Sequence, residues 1–501
     1  MKKIFILGGT GYIANRLVPE LLSKGYKVKV GYRNRRNLRS SWVKHPHVKL
    51  VFADTFDKES LLDAFKNCKV IYYLVHSMES NRYKQLSEFE LKSAKNTLEA
   101  ALANNVERII FLSGLKSSNN KISKHLSSRI EVARYFRGSP IATTVFRASV
   151  IIGSGSAVCE VMRKVLTYFP VVLVPRSISN KTQPIAVENV IYYLVNCLDI
   201  PETMNRSFDI GGEEIFQCKE IINMMKKYLG VKTILLPVPL LPLRLISYVL
   251  GMATVVPAPM SRSLVGGIVS ETICQNFDIR TLLPQKLISI EDQFHKIFSE
   301  WKYLLTCDIL GKPTQIPCWT LQGDHPWVGF MILRDHRYIV LKGNQKKIWS
   351  IIGSIGGKRG YFGANWLWQI RGILNRLMGG KGLNQAPKEF QKGENFDFWT
   401  IYRVKKYEEL VLWNELKIPG HSTLTFRLQE YSDEKIILHQ VLRYYPKGTI
   451  GLFHWSLTYG FRQYALSKMF NKIIKLSRSD IIQETKKNPP LTKDGKLLTI
   501  N

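Results

Sequence analysis

The chain is 501 residues long, 45% hydrophobic and 22% charged, a composition that supports two to three globular domains and excludes a fibrous or low-complexity protein. Its formal net charge of +33 favours anionic partners in general, but the excess is spread over both halves and no zinc-finger, RNP or helix-turn-helix pattern accompanies it, so a specific nucleic-acid reader is not expected. Seven scattered cysteines lack metal-ligand spacing, and the apolar run behind Met1-Lys2-Lys3 is short, so no metal site, disulfide frame or secretory signal is expected and a cytoplasmic setting is.

The first strand-turn-helix carries the sharpest local signal. An apolar run over 4–7 ends at Gly8, and Gly9, Thr10 and Gly11 complete a tight turn before an amphipathic segment over 13–22. Glycines there let the backbone approach a pyrophosphate closely, and the helix N-terminus offers its N–H groups to it. Ala14 takes the place of a third glycine and still allows close helix–strand packing. Gly8, Gly9, Thr10, Gly11, Tyr12 and Ile13 are therefore expected to bind a dinucleotide.

Further strands are predicted at 27–32, 48–53, 70–76, 108–113 and 143–152, with helical patterns between them, notably 83–104 and 124–136. Nearly continuous apolar runs suit a parallel sheet covered on both faces. Residues 1–152 are read as a doubly wound α/β core, the Rossmann arrangement, and 153–305 as its substrate-side part. Arg33 lies just past the second strand, where arginine accommodates a 2′-phosphate, so NADP(H) is expected rather than NAD(H). Asp54 ends the third strand, placed to accept from an adenine amino group. Leu74, Val75 and His76 end the fourth strand on the same edge.

Residues 231–259 are rich in leucine, valine and proline, but Pro237, Pro239, Pro242, Pro257, Pro259 and Arg244 interrupt them. A membrane span needs about 20 uninterrupted apolar residues, so this segment is read as lining the substrate side or touching a membrane peripherally. A linker is expected over 306–326, broken by Pro313, Pro317 and Pro326. Beyond it, apolar and polar residues alternate over 337–342, 398–404, 408–417, 422–430 and 435–444, followed by an amphipathic stretch at 452–476. This pattern predicts an α+β domain over 327–480 with one long helix laid on a curved antiparallel sheet, and a flexible tail over 481–501. Tyr361, Phe362, Trp366 and Trp368 form its aromatic cluster, either lining an apolar cavity or filling a core. The 452–476 stretch is expected to pack its apolar face on the sheet, with a membrane surface as the alternative.

Gly8-Gly9-Thr10-Gly11, Arg33, Asp54, the segments 72–78 and 112–115, then 124–132 and 147–153, resemble the atypical short-chain dehydrogenase/reductases, most nearly the NmrA-like branch. Trp349, Ile355-Gly356-Gly357, Asn365-Trp366-Leu367-Trp368, Gly379-Gly380, Phe398-Trp399 and Pro419-Gly420 are similar to a C-terminal domain of the helix-grip kind, START/Bet v 1-like (SRPBCC). The resemblance covers about 1–480. It implies a reductase acting on a hydrophobic, quinone- or lipid-like small molecule, or an NADP(H)-dependent redox sensor without chemistry.

The resemblance also implies a catalytic set, and this chain departs from it. Short-chain reductases use a serine, then Tyr-x-x-x-Lys. Ser113 takes the serine position, but His125 stands where the tyrosine belongs and Arg129 where the lysine does. The i, i+4 spacing keeps both on one helix face. Arg129 is expected to reach ribose hydroxyls through its fixed fork, and His125 to act as a substitute general acid.

Overall fold

The chain forms two compact units, 1–329 and 330–501. A computed structural model describes residues 3–38, 40–75, 86–115, 124–238, 264, 266, 267, 270–298, 328, 333–342, 344–356, 360–377, 390–416, 418–432, 435–446, 448–477 and 480–484. The expected linker over 306–326 and residues 239–259 of the leucine- and proline-rich segment lie outside these.

The first unit is built on β1 (Ile4–Leu7), α1 (Tyr12–Ser23), β2 (Val28–Tyr32), β3 (Val48–Phe52), α2 (Lys58–Phe65), β4 (Val70–Tyr73), α3 (Leu86–Ala103), β5 (Arg108–Gly114), α4 (Lys124–Arg137), β6 (Ala142–Ala148), α5 (Ala157–Tyr168), α6 (Val187–Asn196), β7 (Ser207–Ile210) and α7 (Cys218–Leu229). Its sheet runs β7-β6-β5-β4-β1-β2-β3, and every pairing is parallel. The order reverses between β1 and β4, and ligands of such sheets lie at the carboxyl ends of the strands there.

Alternate residues of these strands feed two cores. Ile4, Ile6, Val30, Tyr72 and Ile110 pack under α1 and α6, against Leu17, Leu21, Val190 and Leu194. Phe5, Leu7, Ile71, Tyr73 and Phe111 pack against Leu61, Phe65, Leu98, Val132 and Phe136 from α2, α3 and α4. Burial on both faces is why the strands read as unbroken apolar runs. At the amino end of β5, the buried Arg108 guanidinium donates to the Cys197 carbonyl at 2.7 Å and to Thr144 and Thr203 hydroxyls at 2.7 and 2.6 Å, tying three elements together.

The single strand predicted over 143–152 is two. β6 ends at Ala148, and Ile151–Ile152 leaves the main sheet to pair with Ile185–Ala186. Ile234–Val238, the described start of the leucine- and proline-rich segment, pairs in parallel with Val171–Pro175, and Ile234, Leu236, Val171 and Leu173 stay exposed.

The second unit is a seven-stranded antiparallel sheet in the order β9-β10-β11-β12-β13-β8-β14, where β8 is Leu333–Lys342, β9 Asn395–Phe396, β10 Trp399–Lys405, β11 Glu409–Asn414, β12 Gly420–Ser432, β13 Lys435–Pro446 and β14 Asp480–Glu484. The start of the expected flexible tail is thus an edge strand, paired with Ile339–Lys342 of β8. Among the described residues four helices accompany it: α8 (Gln345–Ile352), α9 (Asn365–Leu377), α10 (Gly448–Leu457) and α11 (Tyr459–Ser477). The one long helix expected at 452–476 is therefore broken at Thr458.

On α11, Leu466, Met469, Phe470 and Ile473 bury against Leu412, Leu424 and Phe426 of the sheet. Tyr361, Trp368 and Phe398 stack beside them, the first two rings 4.5 Å apart, and the Tyr361 hydroxyl donates to Asp397 Oδ2 at 2.7 Å. Trp366, predicted to join that cluster, points away from it and is 53% exposed. Two positions along a helix, it falls on the other face.

Candidate dinucleotide site

The glycine turn is shaped by contact with the neighbouring strands. Gly8 takes φ +90°, and a Cβ there would lie 2.8 Å from the Leu74 carbonyl carbon and oxygen. A Cβ on Gly9 would meet Val30 Cγ1 at 2.0 Å and the Gly31 carbonyl at 2.9 Å, whereas Gly9 N–H donates to that carbonyl. Only hydrogen fits at either position. Gly11 N–H donates back to Gly8 at 3.1 Å, closing the turn. Gly11 is then the N-cap of α1 with extended backbone and no side-chain cap, which leaves the first-turn N–H groups to another acceptor.

Thr10, Tyr12 and Ile13 are half-buried at this helix start. The Arg16 guanidinium lies 3.7 Å over the Tyr12 ring and donates to the Ser154 carbonyl at 2.5 Å. A Cβ on Gly153 would strike the Tyr12 hydroxyl at 2.3 Å, so the residues after β6 close tightly on the turn.

Arg33 follows β2 directly and is exposed. Asp54 follows β3, and its Oδ1 accepts from the Phe56 N–H at 3.0 Å, shaping the turn into α2. Leu74 and Val75 sit half-buried past β4, with the Leu74 N–H bonded to Leu7 at 2.9 Å. His76 lies outside the described residues. Arg33, Asp54, Leu74 and Val75 thus share the carboxyl edge with the glycine turn, each through its own strand end.

The predicted catalytic residues divide. Ser113, buried on β5, donates to the Arg129 carbonyl at 3.4 Å. His125 stands in the first turn of α4, with its side chain outside the described residues. Arg129 corrects the expectation of a fork open to ribose. Its Nη1 donates to the Val75 carbonyl at 2.8 Å and its Nη2 to the Leu112 carbonyl at 2.6 Å, and its guanidinium lies 4.4 Å over the Phe111 ring. At 4% exposure an arginine head needs fixed acceptors, and two strand ends supply them.

Two buried charged groups escape sequence reasoning. Glu90 on α3 is 3% exposed, places Oε1 4.0 Å from Arg129 Nη1 and accepts from the Ser128 hydroxyl at 2.8 Å. A charged residue in line with Ser93, Ala94 and Thr97, a helix face of small uncharged residues, was the available signal. A second buried group lies on α5. Arg163 donates to Glu160 at 2.8 Å, Lys164 Nζ lies 3.8 Å from the same oxygen, and burial pushes the Lys164 ammonium down to about 8. Charges at i, i+3 and i+4 in an apolar helix mark it.

Among the described residues no cluster of three or more His, Cys, Asp or Glu has metal-holding geometry, and Cys68, Cys159, Cys197, Cys218 and Cys274 are free thiols. Among them, too, no helix is long and apolar enough to cross a membrane.

Known proteins with similar sequences carry several roles. The chain is 24% identical over 252 residues to the photosystem II assembly factor Ycf39 of Trieres chinensis, spanning 50% of this chain and 76% of that one. It is 25% identical to the mitochondrial NADH dehydrogenase [ubiquinone] 1 alpha subcomplex subunit 9 of Dictyostelium discoideum, spanning 44% of this chain and 62% of that one. It is 26% identical to phenylcoumaran benzylic ether reductase 1 of Arabidopsis thaliana, over 41% of this chain and 67% of that one. Residues 327–469 match a protein family of unknown function, DUF2867. Residues 1–277, more than half of the chain, match the NmrA-like family, and with its parallel sheet and glycine turn this protein belongs to that family of NAD(P)-binding Rossmann proteins.

Proposed function

We propose that this chain binds NADP(H) at the β1–β4 edge and works as a reductase-like protein toward a hydrophobic, quinone- or lipid-like molecule. The observation that carries the reading is the cradle: at Gly8 and Gly9 no side chain fits, and α1 opens without a side-chain cap. That surface suits a pyrophosphate, because backbone N–H groups and the positive end of α1 converge where a side chain would block approach. Arg33 meets the 2′-phosphate at the end of β2, and Asp54, with one oxygen already on the Phe56 N–H, borders the adenine.

When bound, the dinucleotide supplies a hydride. The chain's own part is to orient a substrate oxygen through Ser113 and to deliver a proton from His125, whose ordinary pKa near 6.5 suits it to that task. The relative named as a benzylic ether reductase supports reduction of an apolar substrate. The second unit, read as helix-grip from its antiparallel sheet and the long α11 lying on it, would hold that substrate.

One observation favours a second reading, an NADP(H)-dependent sensor without turnover. Arg129, in the place of the lysine that would hold ribose and tune the proton donor, has both terminal nitrogens on strand carbonyls. The relative named as an assembly factor fits the same reading.

The test is NADPH binding to the purified protein, followed by oxidation of the bound cofactor against a panel of quinones and enones. Substrate-dependent oxidation that disappears in His125→Ala establishes the reductase. Tight binding with no oxidation on any compound, unchanged in His125→Tyr, establishes the sensor.

A further inference from the structure

The second unit turns a second apolar surface outward. On α9, Trp366, Ile370 and Ile373 recur at i, i+4 and i+7, opposite the inward Trp368, and Ile373 is 59% exposed. On α10, Ile450, Phe453 and Leu457 recur at i, i+3 and i+7, the last two 66% exposed. The two stripes meet. Trp366, Leu367, Leu457, Gly460, Phe461 and Tyr464 line one open groove of about 420 Å³ where α9 faces the α10–α11 corner. Side chains of this size are left in water only singly on most proteins, and a continuous patch marks a surface that something covers.

Charge says what covers it. Neither 343–388 nor 435–479, the stretches of sequence that carry these helices, contains a single Asp or Glu. Arg376, Lys468, Lys472 and Lys475 on α9 and α11 are exposed cations, and Arg462 stacks 3.4 Å over the Trp455 ring. Tryptophan, tyrosine and phenylalanine bordered by lysine and arginine, with the side chain of the neighbouring Asp335 buried and taken up by Arg337 and Gln463, is the chemistry of a phospholipid headgroup interface, where rings sit at the boundary and cations meet phosphates. A helix of 10 residues followed by one of 19, neither apolar enough to cross, suits lying on the surface rather than spanning it.

We infer that the second unit docks on anionic phospholipid membranes through the face formed by α9, α10 and the start of α11. The rings of Trp366, Phe453, Phe461 and Tyr464 enter the headgroup layer, and Lys468 and its neighbours hold lipid phosphates. A peripheral site of this kind would deliver the chain to the phase in which apolar molecules dissolve, but it stands whether or not the first unit performs chemistry.

Flotation of the full-length protein with phosphatidylcholine vesicles, with and without phosphatidylglycerol, tests it in the absence of nucleotide. The protein should rise with the anionic vesicles, rise far less with the neutral ones, and lose binding as salt screens the lysines. Phe453→Ser with Phe461→Ser should lower the bound fraction roughly tenfold or more and leave the melting temperature unchanged, since both rings stand outside the core. Lys468→Glu with Lys472→Glu should abolish the preference for anionic lipid without touching either ring. Failure of the wild-type chain to float, or flotation of both variants equal to wild type, overturns the proposal. So does a concentration-dependent dimer that does not float and that the double serine variant dissociates, which would make the patch a self-association face. NADPH titration of the serine variant separates this outcome from any failure of the dinucleotide reading.

Discussion

The glycine turn after β1 and the helix α4 that follows β5 serve the same sheet and treat their polar groups in opposite ways. After β1, side chains are absent where the chain must come close, and α1 begins without a side-chain cap. On the helix that follows β5, the Arg129 head is already satisfied, clamping the ends of β4 and β5 through Val75 and Leu112 and backed by Glu90. The glycine turn keeps side chains away from the edge, whereas the Arg129 head is held within the framework. Position in a family pattern therefore says where a residue stands, and hydrogen-bond accounting says what it is free to do.

The largest effect should come from Gly11→Val. A Cβ there meets only the Gly8 carbonyl, at 3.2 Å, so the fold should persist while binding of NADPH and NADH is abolished; calorimetric affinity equal to wild type would remove the open-turn assignment. Next is Arg129→Met, which strips the clamp and leaves Glu90 buried with its partner gone. It should cost about 3–5 kcal/mol in denaturant unfolding. A loss confined to activity, with stability intact, would return Arg129 to the catalytic set.

Arg33→Ala should raise the NADPH dissociation constant roughly ten- to hundredfold and leave NADH unchanged; equal losses would sink the 2′-phosphate role. The smallest is Ser128→Ala, which removes one hydrogen bond to the buried Glu90 carboxylate. It should cost about 1–2 kcal/mol of stability, and its effects should be non-additive with those of Arg129→Met if the two act as one network.

The placement of the predicted binding residues along one sheet edge was legible because its signals are local. Gly8 to Ile13, Arg33, Asp54 and Leu74 to Val75 follow strands that read as apolar runs, and strand ends in a parallel sheet all reach one edge. Ser113 was placed by the same logic. Less legible was anything that depends on a distant partner. Arg129 is 54 residues from Val75 and 17 from Leu112, and no local pattern distinguishes an arginine facing two carbonyls from one facing a ligand. The Tyr361–Trp368–Phe398 stack was half visible as an aromatic cluster, but helical phase alone did not show that Trp366 would lie outside it. The single helix expected over 452–476 failed for a related reason: amphipathic periodicity continues across Thr458, although α10 and α11 are separate helices.

The sequence by itself determined the parallel core, its glycine turn and the antiparallel alternation of the second unit, since strand period, steric room at glycine and burial on two faces are properties of neighbouring residues. Tertiary structure alone decided which polar heads are consumed and which apolar faces are left uncovered. Edge strand β14, the Arg129 clamp and the outward stripes of α9 and α10 all depend on what arrives from elsewhere in the chain. A buried charge takes the acceptors that reach it, and an apolar side chain stays exposed when no other element packs over it.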